Sequence, residues 1–129
     1  MQSKQIDTVI RGGTVVTPIG VAVQDIAIAD GKIKELSNTI TSSAPTEIDA
    51  RGLLVLPGGV DTHCHIEQMS GAGLMNADTF RTATRSAAMG GTTTTVSFAA
   101  QHAGQKMRKV VGDYAALAMK GAVIDHAFH

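Results

Sequence analysis

Leu53-Leu54-Val55-Leu56-Pro57-Gly58-Gly59-Val60-Asp61-Thr62-His63-Cys64-His65 is where the chain changes character. The apolar run 53–56 reads as a strand stopped by Pro57-Gly58-Gly59, and residues 60–65 read as the strand after it. Alternate side chains of a strand share a face, about 6.6 Å apart at ~3.3 Å per residue. Asp61, His63 and His65 therefore fall on one face, and Thr62 and Cys64 on the other. Twist and rotamer choice can bring two such imidazole nitrogens to ~2.0–2.1 Å from one shared divalent ion. Two histidines also occur this close by accident, and two ligands are fewer than a catalytic zinc takes from its protein.

Upstream of this stretch the sequence breaks into short strands and turns. Residues 6–11 carry β-branched side chains and end at Gly12-Gly13, and 14–17 end at Pro18. Residues 25–29 lead into Asp30-Gly31, a dipeptide suited to a two-residue hairpin turn, and 32–36 alternate as the returning strand. Ser42, Ser43 and Pro45 mark 37–46 as an exposed loop, and 47–49 make one more strand. Short strands in series predict a small sheet or sandwich.

Downstream the period lengthens. Residues 66–77 form a loop rich in Gly and Met, and Asp78 is the expected N-cap of a helix running to about Met89. Phe80, Ala83, Thr84, Ala87 and Ala88 share a face of it, and Gly90-Gly91 ends it. Residues 92–99 form a β-branched strand. From 105 to 120, Met107, Val110, Val111, Tyr114, Leu117 and Ala118 recur at helical spacing, with Gly121 as the expected C-cap. Residues 122–129 begin another strand. Strand–helix–strand–helix–strand is the order of parallel βα units. A (β/α)8 barrel needs more strands than these.

Composition narrows the function classes. Lys and Arg balance Asp and Glu, so neither nucleic acid nor an anionic membrane is an expected partner. With no Trp, one Tyr and three Phe, base-stacking platforms are not expected. A single Cys fits a reducing compartment, the N-terminus lacks a secretory h-region, and no apolar run is long enough to span a bilayer. A cytoplasmic protein is expected.

The stretch 48–65 resembles the entry to the barrel of the amidohydrolase superfamily. Asp7-Thr8-Val9-Ile10-Arg11-Gly12-Gly13 and Ala29-Asp30-Gly31-Lys32-Ile33 are similar to that superfamily's N-terminal sandwich. Asp78 to Phe80, Gly90-Gly91-Thr92-Thr93-Thr94 and Asp113-Tyr114 resemble its hydantoinase/dihydropyrimidinase branch in particular. The resemblance implies an α/β fold: residues 1–57 as the N-terminal part of a small β-sandwich, and 58–129 as the first β-α-β-α-β units of a TIM-like (β/α)8 barrel, incomplete in this chain. It further implies a metal-dependent hydrolase that opens the ring of a hydantoin or dihydropyrimidine. Such a site usually holds two zinc ions bridged by a carboxylated lysine, and His63 and His65 inherit the role of metal ligands. The bridging lysine, the other histidines and the acid/base aspartate are expected beyond residue 129, so no catalytic residue is assigned within the chain. Lys106, Lys109 and Lys120 are expected on an outer helix.

Asp61 either supports the histidine pair by hydrogen bonding or packs in the barrel interior. Cys64 is expected as a core thiol. His102 lines the site's mouth or sits on an exposed loop, and His126 and His129 have opposite parity on the last strand. Met69, Leu74 and Met75 lie where hydantoinases cap the substrate's side group, a role to set against simple packing on the barrel. Allantoinase and dihydroorotase are neighbouring alternatives, as is a non-catalytic dihydropyrimidinase-like assembly protein. The 129 residues alone are expected to be inactive, and a full-length form is expected to be a homotetramer.

Overall fold

A computed structural model describes residues 5–129; the first four residues of the expected 1–57 domain lie outside the described residues. The chain divides into two compact units, Met1–Pro57 and Gly58–His129.

The first unit is one five-stranded mixed sheet. β1 (Thr8–Thr17), β2 (Gly20–Ala29) and β3 (Lys32–Ser37) form an antiparallel meander, while β4 (Thr46–Asp49) and β5 (Leu54–Val55) each lie parallel to β1. The Asp30-Gly31 turn forms as expected, both residues taking positive φ (51° and 67°), which Gly31 adopts without a Cβ penalty. Two expected breaks do not occur. The Gly12-Gly13 pair does not end a strand but sits in a register shift inside β1, between the segment paired with β4 and the segment paired with β5. Residues 20–24, which lack a clean alternation, extend β2 back to Gly20 because they pair with 13–17 across a tight turn at Pro18-Ile19.

A buried carboxylate organises this sheet. Asp25 accepts the Gly12 N–H at 2.8 Å and the Ile40 N–H at 3.0 Å, and pairs with Arg11 at 3.3 Å. Arg11 also donates to the carbonyls of Ile40 and Ser42 and to Glu47. One ionic cluster thus fixes the bulge, the β3–β4 loop and β4 together. Beside it, Val9, Ala27 and Ile40 form a small buried core.

The second unit is a parallel sheet, β6-β7-β8, formed by β6 (Gly59–Cys64), β7 (Thr92–Ser97) and β8 (Asp125–Phe128). The helices α1 (Phe80–Met89) and α2 (Met107–Gly121) connect them, and Ile66, Phe80 and Ala118 are the buried centre. Cys64, Ala83, Tyr114, Leu117 and Phe128 pack around that centre. Gly58 lets β6 approach β7, since a Cβ there would collide with the Thr93 side chain. Within α1, Thr84 is fully buried, donating to the Phe80 carbonyl at 2.5 Å and accepting the Val123 N–H at 3.1 Å.

The helix ends correct the sequence reading by one residue each. Thr79, not Asp78, caps α1: its hydroxyl accepts the Thr82 N–H, and the Thr82 hydroxyl accepts the Thr79 N–H in return. Asp78 instead accepts the Thr82 hydroxyl proton at 2.7 Å. Thr replaces the usual Glu or Gln of a capping box, which hides the motif in the sequence. Gly121 is the last residue of α2 and Ala122 its cap, because the backbone leaves in extended geometry there (φ −62°, ψ 134°), which needs no glycine.

Replacing Asp25 by Ala strands two inward N–H groups and the Arg11 cation. The expected loss is about 2 kcal/mol, read as a lowered urea midpoint. The N–H groups of Ile40 and Gly12, then Arg11, hold the Asp25 carboxyl below its ordinary value. A depressed folded pKa gives stability that is present above the unfolded value and lost as pH falls through the folded one. The wild-type advantage over Asp25→Asn should therefore shrink below about pH 4.

Candidate metal-facing site

The packing of Cys64 decides which way the histidines point. Cys64 turns toward the helices with Ile66 and Phe80, and Ser97 on β7 shares that side, its hydroxyl donating to the Cys64 carbonyl at 3.2 Å and accepting the Ile66 N–H at 3.3 Å. Burial, with the Asp61 charge, pushes the Cys64 thiol above its ordinary pKa. His63 and His65 go to the opposite face, both exposed, with ring centroids 5.6 Å apart. β6 ends at Cys64, so His65 lies one residue past the strand, not on it. Its ring nonetheless stays beside that of His63.

Phe98 holds the pair. It follows the last residue of β7, and its N–H donates to the Cys64 carbonyl at 3.0 Å. The His65 ring stacks on Phe98 at 4.5 Å and 2°, and the His63 ring meets it edge-on at 4.7 Å. His129 reaches the same place from the end of β8, 3.9 Å from Phe98 and 6.3 Å from His63. The cluster thus stands at the C-terminal ends of all three parallel strands, the end where α/β sheets carry their sites.

Asp61 accepts the His63 N–H at 3.0 Å, so its link to the pair runs through the backbone and not through a ring. His65 Nδ1 lies 2.8 Å from Gln68 Oε1. The expected open loop over 66–77 contains a small hairpin. Met69 bridges to Met75, the Ser70 N–H donates to the Leu74 carbonyl at 2.7 Å, and Gln68 and Asn76 close its base. Met69, Leu74 and Met75 are exposed on it, at 44%, 71% and 56%. Its foot at Glu67 takes positive φ (49°), and the Glu67 carboxylate accepts the Phe80 N–H at 2.9 Å, at the N-terminus of α1.

The remaining histidines lie elsewhere. His126 sits on the helix side against Phe80 and Phe128, and His102 is exposed in the β7–α2 loop. Lys109 is on the outer face of α2, paired with Asp113 at 2.6 Å. Phe98 and Gln68 are not singled out by the sequence, which marks His129 only by its parity on the last strand. Strand parity places Phe98 opposite Ser97 and so could have found it. The Gln68 contact depends on the positive-φ turn at Glu67 and leaves no local signal. Among the described residues no group of three or more His, Cys, Asp or Glu could hold a metal ion, so the His63–His65 pair stands as two donors. Two exposed imidazoles at one strand end are borderline-soft nitrogen donors, which suits zinc as part of a larger ligand set.

A hollow of about 450 Å³ is lined by Arg11, Asp25, Glu47, Asp49 and Arg51 in the first unit. Its charges pair with one another: Arg51 holds Asp49 at 2.6 Å and lowers its pKa to about 2.

No protein-family model matches the sequence. The D-hydantoinase of Rhizobium radiobacter is 42% identical over 124 residues, covering 96% of this chain and 27% of the relative. The D-hydantoinase of Streptomyces coelicolor is 45% identical over 127 residues, covering 95% and 27%. Along nearly its whole length the chain is similar in sequence to the hydantoinase-type amidohydrolases. Solved structures agree. A D-hydantoinase superposes with a TM-score of 0.89 at 40% identity over 96% of this chain, and the dihydropyrimidinase of Brevibacillus agri with 0.88 at 35% over 95%. The chain spans about a quarter of the length of these hydantoinase relatives, 27% and 26% respectively. Among the described residues no helix is long and apolar enough to cross a membrane.

The Cys64 assignment has a direct check. A thiol turned into the helix layer with a raised pKa should react with Ellman's reagent at pH 8 about tenfold more slowly than free cysteine, and at the free rate once urea unfolds the chain. A fast native reaction would place Cys64 on the histidine face.

Proposed function

We propose that these residues form one part of a zinc-dependent hydrolase of cyclic amides, with His63 and His65 as two of its metal ligands. The observation that carries this reading is the pair of imidazoles, 5.6 Å apart and open on one face, at the C-terminal ends of parallel strands. Relatives named D-hydantoinase and dihydropyrimidinase support hydantoins and dihydropyrimidines as the substrate class. In this proposal β6, β7 and β8 open a (β/α)8 barrel, and the five-stranded sheet is the N-terminal part of a sandwich. A cytoplasmic homotetramer belongs to the same proposal for a full-length form.

Bound zinc would activate water and polarise the ring carbonyl, supplying a nucleophile at neutral pH. The residues of this chain do the positioning. His63 and His65 present ring nitrogens from positions two apart at the end of β6, with Phe98 fixing their ring planes. Asp61 holds the backbone leading into the pair at the His63 N–H. Met69, Leu74 and Met75 offer an exposed apolar surface on the hairpin that follows, suited to covering a ring substituent. The acid/base group and the remaining ligands are assigned to parts of the protein outside these residues.

The 129-residue polypeptide should show no hydrolysis of dihydrouracil or phenylhydantoin, even with added zinc, because two donors do not complete a catalytic site. Clear metal-dependent turnover by it would overturn the assignment of the missing groups. Grafted in place of the matching segment of the Rhizobium radiobacter enzyme, the chain should support both zinc binding and hydrolysis. His63→Ala in that graft should remove most of the zinc and the activity together. Unchanged zinc content in that variant would refute the ligand role.

A further inference from the structure

We propose that Gln68 is a positioning residue for His65, holding the proton of that ring on Nδ1 so that Nε2 is left as the bare, donor nitrogen. The inference rests on the metal reading above and extends it to a residue outside the H-x-H pair.

The chemistry of the contact fixes its direction. An amide oxygen has lone pairs and no proton, so across the 2.8 Å between Gln68 Oε1 and His65 Nδ1 the hydrogen must come from the ring. A neutral imidazole has one N–H. Placing it on Nδ1 leaves the Nε2 lone pair free to face a ligand. Phe98 adds the second constraint: stacked at 4.5 Å and 2°, it fixes the plane of the ring, while Gln68 fixes its rotation within that plane.

Gln68 is itself held from the backbone. Its N–H donates to Asn76 Oδ1 at 2.7 Å, and its carbonyl accepts the Asn76 N–H at 3.0 Å. These two bonds close the base of the hairpin that exposes Met69, Leu74 and Met75. The side chain that selects the His65 tautomer therefore springs from the foot of the apolar hairpin. Displacing that hairpin would loosen the ring, whereas the hairpin's base, closed through the Gln68 backbone, does not depend on the ring.

The test reads the tautomer directly, in the metal-free full chain, from long-range proton–nitrogen spectra of the histidine rings. The unsubstituted chain should show His65 protonated on Nδ1. Gln68→Leu should shift it toward the tautomer mixture of free imidazole, with His63, His126 and the remaining amide spectrum unchanged. Gln68→Glu, which keeps an acceptor oxygen, should restore the Nδ1–H form. In zinc titrations followed at the His63 and His65 rings, Gln68→Leu should bind about tenfold more weakly, and Gln68→Glu should not. A His65 ring protonated on Nε2 in the unsubstituted chain, or the same tautomer in Gln68→Leu, would overturn the role of Gln68. A tautomer that follows Gln68 while zinc moves neither ring would instead overturn the metal reading, and the positioning role with it.

Discussion

A parallel strand covered on one side by helices has one face committed to the core, and that constraint settles everything at the end of β6. Cys64 and Ile66 pack with Phe80 and Ala118, so the side chains between and before them are turned outward. The Ser97 hydroxyl secures this arrangement by bonding to the Cys64 carbonyl and the Ile66 amide, tying the strand end to β7 where the ladder itself shifts register. Were the register to slip by one residue, His63 and His65 would enter the helix layer and Cys64 would face out. The exposed pair is thus the complement of the buried one, and neither can be chosen independently.

The first unit solves a different problem by charge. β1 has to serve two parallel partners on one edge, and the shift at Gly12-Gly13 that permits this leaves an amide pointing inward. Asp25 from β2 meets that amide, and Arg11 neutralises Asp25 while gathering the loop that leads to β4. The carboxylate satisfies amides that would otherwise stand unpaired, and its three partners specify which residues stand at the bulge.

Much of this was legible in the residues. The Asp30-Gly31 hairpin, the two helices and the sidedness of His63, Cys64 and His65 follow from period and turn chemistry alone. The misreadings have particular causes. Gly12-Gly13 looks like a stop because a bulge and a strand end ask for the same residues. Asp78 looks like a cap because Asp usually is one, and only tertiary geometry assigns that position to Thr79. The site was half legible. Period 2 gives the two histidines, yet Phe98 and His129 join them through strand order across β7 and β8, and Gln68 through a left-handed turn. Contacts made across separate strands leave no spacing to read.

Glu67 bears on how the segment between β6 and α1 moves. By accepting the Phe80 N–H it pins the start of that segment to the point where the segment ends. The closure cost of one long excursion is then met at its neck, and the part beyond the neck becomes a short loop closed again by Gln68 and Asn76. Two ties so close together leave a short methionine-bearing tip hanging from a tethered base, and that base begins two residues past His65.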